Sequence, residues 1–183
     1  MALHFSNQEF EKRKLATLKS MKEQNLDALL MFRQESMFWL TGYDTFGYVF
    51  FQTLILDQKG NIILLTRAPD LRQAQNTSNI EDIRIWVDKD QSNPTDDLKI
   101  ILDELNLKGK KIGIEYEAYG MTGRNALRLN KSLEGHCEVE DQSELITKHR
   151  VIKSAEEIIY VKKAAELADQ ALDEAWKYAK AGA

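Results

Sequence analysis

Cysteine, proline and histidine are all scarce in this chain of 183 residues, which contains one Cys, two Pro and three His. The single Cys137 excludes an intramolecular disulfide framework, and two prolines exclude a Pro-rich linker. The histidines show no H-x-x-x-H or H-E-x-x-H spacing, the usual signature of a helical zinc site. His136 and Glu138 flank Cys137, but neighbouring strand residues point to opposite faces. We therefore assign no metal ligand and no catalytic residue in this chain.

Long apolar segments and an excess of basic charge are also missing. The longest run without a charged residue, Thr45 to Leu56, has 12 residues, whereas a membrane-spanning helix needs about 20. The first 14 residues contain no apolar core of a secretory signal. Lysine and arginine number 25 against 29 aspartate and glutamate, so the formal net charge is −4 and no general nucleic-acid-binding surface is indicated. These features predict a cytoplasmic protein with no nucleic-acid and no membrane partner.

What is present is a regular alternation of strand and helix patterns. A capping box at Ser6 and Glu9 begins a first helix, and the apolar run Leu26–Phe32 predicts a short buried strand. Two β-rich runs, Tyr48–Leu56 and Ile62–Arg67, flank a turn-forming segment and predict a hairpin. Helices are expected at 69–76, 94–105 and 122–133, and strands at 83–87, 111–116 and 137–139. The pattern predicts an α/β fold, a mixed five- or six-stranded sheet flanked by helices.

The last part of the chain has a different pattern. Ser154 and Glu157 form a second capping box, and the helical pattern behind it continues to about Lys180. Such a helix would be about 39 Å long at 1.5 Å per residue, which is longer than usual in a globular domain. We expect residues 1–150 to form one domain and residues 151–183 to form a linker and a long C-terminal helix. That helix either bridges to another domain or packs along its own.

One segment carries a candidate binding site. Gly42–Tyr48 combines three aromatic residues, one acid and two glycines directly before the predicted hairpin. Such residues can line a small-ligand pocket, or they can fill the core beneath a loop. If paired residue numbers in the hairpin sum to about 117, allowing a slip of one or two residues, these aromatic rings lie at the same sheet edge as a cation and an acid. The four candidate substrate-binding residues are Phe46, Tyr48, Arg67 and Asp70.

These four residues allow two interpretations. An aromatic wall beside a fixed cation suits a small substrate that bears a carboxylate. Alternatively, Arg67 forms an ordinary surface ion pair with Asp70 or Asp44. The sequence alone leaves both open.

The order of several short motifs resembles a known family. They are Asp27–Leu30, Met37–Tyr43, Leu64–Arg67, Ile112–Tyr116 and Arg150–Ile158. Together they resemble the amino-terminal domain of the creatinase/prolidase family, whose last central strand carries an "IGIE" element and whose linker reads R-x-x-K-(S/D)-x-x-E-(I/L). The resemblance covers essentially the whole chain, and it implies the fold of that domain, with its ribonuclease-H-like motif.

The resemblance implies a function that the residues themselves do not show. Members of the family are homodimeric hydrolases, among them Xaa-Pro peptidases, creatinase and ectoine-hydrolase-like enzymes. The peptidases use a two-metal centre, of Mn or Zn, whose ligands lie in a carboxy-terminal pita-bread domain, whereas creatinase works without metal. By this resemblance the chain is an amino-terminal, non-catalytic domain that is inactive alone and holds no cofactor. Residues 151–183 would then be the linker and the first helix of the missing catalytic domain.

The resemblance also bears on the candidate site. In creatinase-like members, an aromatic-Gly-basic stretch of this domain reaches the active site of the other subunit. The matching positions here are Phe46, Gly47 and Tyr48, and Tyr48 departs from the basic residue. The implied roles are dimerisation and completion of the partner subunit's pocket, for a small amide, dipeptide or amidine substrate. The alternative is a non-catalytic peptide- or protein-binding module of the same fold.

Overall fold

A computed structural model of the chain describes residues 3–182. It divides into two compact units, Met1–Arg150 and Val151–Ala183. The larger unit is built on a mixed sheet of six strands in the order β4-β3-β2-β1-β5-β6, which confirms the predicted fold class. The strands are β1 Ala28–Met31, β2 Thr53–Asp57, β3 Ile62–Arg67, β4 Asp82–Trp86, β5 Lys111–Ile114 and β6 Glu138–Asp141. β2 runs antiparallel to both of its neighbours, and the other three pairings are parallel.

Helices cover both faces of this sheet, as expected when parallel strands are joined by crossover connections. They are α1 Asn7–Glu23, α2 Gln34–Thr41, α3 Leu71–Thr77, α4 Pro94–Glu104, α5 Gly123–Leu133 and α6 Leu145–Val151, with a short 3₁₀ turn at Ala68–Asp70. The alternation of side chains along each strand produces two separate apolar cores. Leu30 packs with residues of α4 and α5, whereas Leu29 packs with residues of α1 and α2.

The hairpin of β2 and β3 differs from the predicted one in two ways. Paired residue numbers sum to 118, as for Thr53 and Leu65, so the register is one residue away from the expected value. The cause is a turn held by the Asp57 carboxylate, whose Oδ1 accepts the backbone N–H groups of Lys59 and Asn61, both at 2.9 Å. The predicted strand start at Tyr48 is also wrong, because β2 begins only at Thr53.

The smaller unit consists mainly of one helix, α7 Ala155–Tyr178. It begins with the predicted capping box. The Ser154 hydroxyl accepts the Glu157 N–H at 3.2 Å, and the Glu157 carboxylate accepts the Ser154 N–H at 2.7 Å. None of its described residues is buried. Among the described helices, none combines the length and apolar character that crossing a lipid bilayer requires.

Candidate functional site

One edge of the sheet collects the candidate residues. The strand pairings place the carboxyl ends of β1, β3, β4, β5 and β6 at the same edge, where β2 begins. The segments around residues 32–36, 44–52 and 115–121 follow or precede strands there. In α/β sheets, ligands bind outside the carboxyl ends of the strands. We call this region the carboxyl edge.

Exposed aromatic rings lie on this edge. Phe46 is 87% exposed, and its position is held through the backbone, whose N–H donates to Gln73 Oε1 at 3.3 Å. Tyr48 packs edge-on against Tyr119, with 5.6 Å between the ring centroids. Tyr43, in contrast, is fully buried, and its hydroxyl donates to Gln52 Oε1 at 2.7 Å. Burial also raises the pKa of the Tyr43 phenol. The aromatic segment therefore contributes one ring to the core and two to the surface.

Two glycines allow close contacts between the loops of the carboxyl edge, with backbone atoms at Gly120 and with side chains at Gly47. A Cβ on Gly120 would lie 2.3 Å from the Phe50 carbonyl oxygen, and real Cβ atoms do not come that close. A Cβ on Gly47 would lie 2.6 Å from Asp70 Oδ1. The turn at 47–50 is closed by a hydrogen bond from the Phe50 N–H to the Gly47 carbonyl. These contacts fix the backbone that carries the exposed rings.

Arg67 and Asp70 do form an ion pair, but it is not an ordinary surface pair. Arg67 Nε lies 3.2 Å from Asp70 Oδ2, and the two side chains are only 13% and 8% exposed. The guanidinium also lies over the Phe50 ring, 3.4 Å from its centroid. The structure thus brings Arg67 and Asp70 together beside Phe50. The Tyr48 ring instead packs on Tyr119.

A pocket of about 380 Å³ opens beside Tyr48 and Tyr119, within the size range of small-ligand sites. Arg33 forms one wall, where its Nη2 lies 2.6 Å from Glu117 Oε2 and its Nη1 donates to Thr147 Oγ1 at 2.7 Å. We call this cavity the edge pocket. Sequence reasoning missed Arg33, Glu117 and Tyr119. Their only signal was a position shortly after the buried strands β1 and β5.

Behind this pocket lies a carboxyl group that the sequence analysis did not single out. Glu115 directly follows β5 and is fully buried. Its Oε2 accepts the backbone N–H groups of Phe32 and Arg33, both at 3.0 Å, and its Oε1 accepts the Ser36 hydroxyl at 2.6 Å. Burial raises the pKa of this carboxyl to about 7, against the opposing effect of those hydrogen bonds and of the Arg33 charge.

Residues 3–182 contain no group of three or more His, Cys, Asp or Glu side chains placed to hold a metal ion. The Nε2 atom of His136, a residue considered above as a metal ligand, lies 3.2 Å from Asp103 Oδ1. The neighbouring Cys137 thiol donates to the Leu107 carbonyl at 3.3 Å, and burial raises the pKa of this thiol. The described donors therefore do not fit the two-metal centre that the family resemblance implies for a peptidase.

Comparison with known proteins places this fold in a family. The sequence model of one protein family, the creatinase/prolidase N-terminal domain, matches residues 13–152. The chain belongs to this family. It is 28% identical, over 98% of its length and 47% of the relative, to the uncharacterised hydrolase/peptidase y4tM of Sinorhizobium fredii. It is 25% identical, over 91% of its length and 43% of the relative, to an ectoine hydrolase of Halomonas elongata.

Solved structures share the fold of this creatinase/prolidase N-terminal domain. A prolidase from Thermococcus sibiricus superposes with a TM-score of 0.78 at 21% identity, over 94% of this chain and 45% of the prolidase. A dipeptidase from Pyrococcus horikoshii superposes with a TM-score of 0.74 at 23% identity, over 91% of this chain and 44% of the dipeptidase. A Xaa-Pro aminopeptidase chain from Streptococcus pyogenes superposes with a TM-score of 0.61 at 17% identity, over 78% of this chain and 98% of the aminopeptidase chain. The present chain spans about half the length of the curated relatives it matches.

Proposed function

We propose that this chain is the amino-terminal, non-catalytic domain of a creatinase- or Xaa-Pro-peptidase-like hydrolase. Its carboxyl edge supports dimerisation and completes the substrate pocket of the partner subunit. The observation that carries the proposal is Phe46, a large apolar ring that is 87% exposed on a backbone fixed at Gly47 and Gly120. Tyr48, Val49 and Phe50 beside it are exposed as well, and a contiguous exposed apolar patch marks an interaction surface. The family and the two hydrolase relatives supply the reaction class.

The proposal has further parts. The enzyme acts in the cytoplasm as a homodimer on a small amide, dipeptide or amidine substrate. Any divalent metal, Mn or Zn, is held by residues beyond Ala183, because the described residues do not form such a site. Residues 151–183 are the linker and the first helix of the catalytic domain. The chain alone is inactive.

The first test is the sequence encoded after Ala183. The proposal expects a second domain there, with the Asp, His and Glu residues of a pita-bread metal centre or the corresponding residues of a creatinase. A continuation without a catalytic domain would contradict it. In that case the aromatic surface at Phe46 would serve a peptide- or protein-binding module.

The second test measures the kinetics of Phe46→Ala in the full-length enzyme. We expect kcat/KM to fall about tenfold or more, through a raised KM or a lowered kcat. Stability should change by no more than about 0.5 kcal/mol, because the ring is exposed. Tyr48→Phe, which removes only a hydroxyl, tests whether Tyr48 offers a polar contact. Leu127→Ala is the matched control, since Leu127 is a 75% exposed apolar residue of α5. Unchanged kinetics in Phe46→Ala would refute the role of Phe46.

Mixed dimers distinguish action across the subunit interface from action within one subunit. A Phe46→Ala subunit is combined with a subunit that lacks one catalytic residue of the second domain. If Phe46 serves the partner's site, one active site of each mixed dimer is intact and activity returns. If Phe46 serves its own subunit, no active site of the mixed dimer is complete and activity stays low.

A further inference from the structure

The edge pocket has a corner of two tyrosine rings in its wall. Tyr48 and Tyr119 both line the cavity, with 5.6 Å between their ring centroids and 71° between their planes. The two residues are 39% and 74% exposed, so a ligand can reach their rings. Aromatic rings arranged around a cavity in this way are typical of sites that hold alkylated ammonium groups, because the ring faces attract positive charge.

An acidic side chain without a cationic partner lies in the same wall. Glu35 is half-buried, lines the edge pocket and belongs to the first turn of α2. Among residues 3–182, no lysine, arginine or histidine forms an ion pair with its carboxylate. The helix macrodipole favours an acid at this position, but it leaves both carboxylate oxygens available to a ligand. The pocket therefore offers a negative charge beside its aromatic corner.

The remaining charged groups of the wall limit the charge that the pocket can accept. Arg33 is balanced by acids, since its Nη2 lies 2.6 Å from Glu117 Oε2 and 3.8 Å from Glu144 Oε1. Arg150 is the second cation of the wall. Two arginines thus accompany the two glutamates of the lining, Glu35 and Glu117. A ligand with one positive charge fits this balance, whereas a second positive charge would meet repulsion.

We propose that the edge pocket binds a small organic cation of the alkylated-ammonium type. The alkyl groups lie against Tyr48 and Tyr119, and the charge lies opposite Glu35. A cavity of about 380 Å³ has room for such a group and for part of the molecule that carries it. The site is built from residues of one domain, and it does not rest on the proposed hydrolase function.

An NMR titration of the 183-residue chain tests the site with two probes of equal shape. Choline carries the cation, and 3,3-dimethylbutan-1-ol is its uncharged carbon analogue. Two ring contacts and one ion pair should give choline a Kd of about 1–10 mM, read from the amide shifts of residues 117–120. The uncharged analogue should bind at least about fivefold more weakly, because it lacks the attraction to the rings and to the carboxylate.

Three variants assign the binding to named side chains. Tyr119→Leu keeps apolar bulk but removes a ring, and Glu35→Gln removes the charge; each should weaken choline binding about fivefold. Tyr119→Phe should keep the affinity of the wild type, since its ring face remains. Glu134→Gln is the matched control for the loss of one negative charge, because Glu134 is exposed and lies outside the lining.

Two results would overturn the cation site. The first is a wild-type chain that shows no choline binding at 10-fold the expected Kd, or that binds the uncharged analogue equally well. This comparison needs no variant to fold. The second is unchanged choline affinity in both Tyr119→Leu and Glu35→Gln.

Discussion

Gly120 offers a sharp test of how the carboxyl edge is held together. A Cβ at this position would lie 2.3 Å from the Phe50 carbonyl oxygen and 3.2 Å from the Tyr48 carbonyl oxygen. Both obstacles are backbone atoms, so no side chain can rotate away. The loops at 47–50 and 118–121 must separate by about 1 Å to reach an ordinary contact. Overpacking of this kind costs about 1–3 kcal/mol. We expect Gly120→Ala to lower the free energy of unfolding by that amount.

The control lies three residues further along the chain. Gly123 is the first residue of α5, and a Cβ there would meet no atom within 4 Å. Alanine is the better helix former, so Gly123→Ala should be neutral or stabilise by up to about 1 kcal/mol. Urea denaturation followed by far-UV circular dichroism measures both variants. Equal stability of Gly120→Ala and Gly123→Ala would refute the argument that close backbone approach holds the edge.

Three further predictions concern buried charge and the C-terminal helix. Arg67→Met should destabilise the chain by about 3–5 kcal/mol in denaturation experiments, because it leaves Asp70 buried without its cation. Adding Asp70→Asn to the same chain should recover much of this loss, because the buried charge is then removed. The raised pKa of Glu115 contributes stability that is complete below about pH 4.5 and is lost as the pH rises through about 7. The free energy of unfolding should therefore fall by up to about 3 kcal/mol from pH 4.5 to pH 8, and a flat profile would contradict the assignment. The exposed apolar residues of α7 should cause self-association of the 183-residue chain in sedimentation experiments, and Leu172→Glu should reduce that association. A strict monomer at high concentration would refute the prediction of self-association.

Much of the fold could be predicted because local signals and tertiary structure agree. The capping box at Ser154 depends only on residues within one helical turn, and it forms as expected. The apolar run around Leu29 and Leu30 is buried on both faces, as in the centre of many parallel sheets. The predicted start of the first hairpin strand at Tyr48 was wrong, because the apolar residues at 48–50 also suit a turn that packs on Gly120. Its register lies one residue from the expected value, within the slip that the sequence left open, because the Asp57 carboxylate accepts two backbone N–H groups in the turn.

The candidate site was less accessible to sequence reasoning. Proximity of Arg67 and Asp70 followed from their separation of three residues, but their burial depends on Phe50 and Gly47, which only the folded loops bring near. Glu115 contacts residues about 80 positions away, because β1 and β5 pair in parallel across the centre of the sheet. The local signals for it were a charged residue directly after an apolar strand and the "IGIE" element to which it belongs. The roles of Phe46, Tyr48, Arg67 and Asp70 in substrate binding stay predictions.

The central place of β1 has a consequence for synthesis on the ribosome. β2 pairs with one side of β1 soon after β2 emerges from the ribosome. The other side of β1 stays unpaired until β5, which begins at Lys111, has been synthesised. At about 5–20 residues per second, the nascent chain carries an unpaired apolar strand edge for roughly 4–16 s. Such an edge readily pairs with other chains. A polypeptide that ends before Lys111 should therefore aggregate during translation, and early engagement by a chaperone would protect the four strands already made.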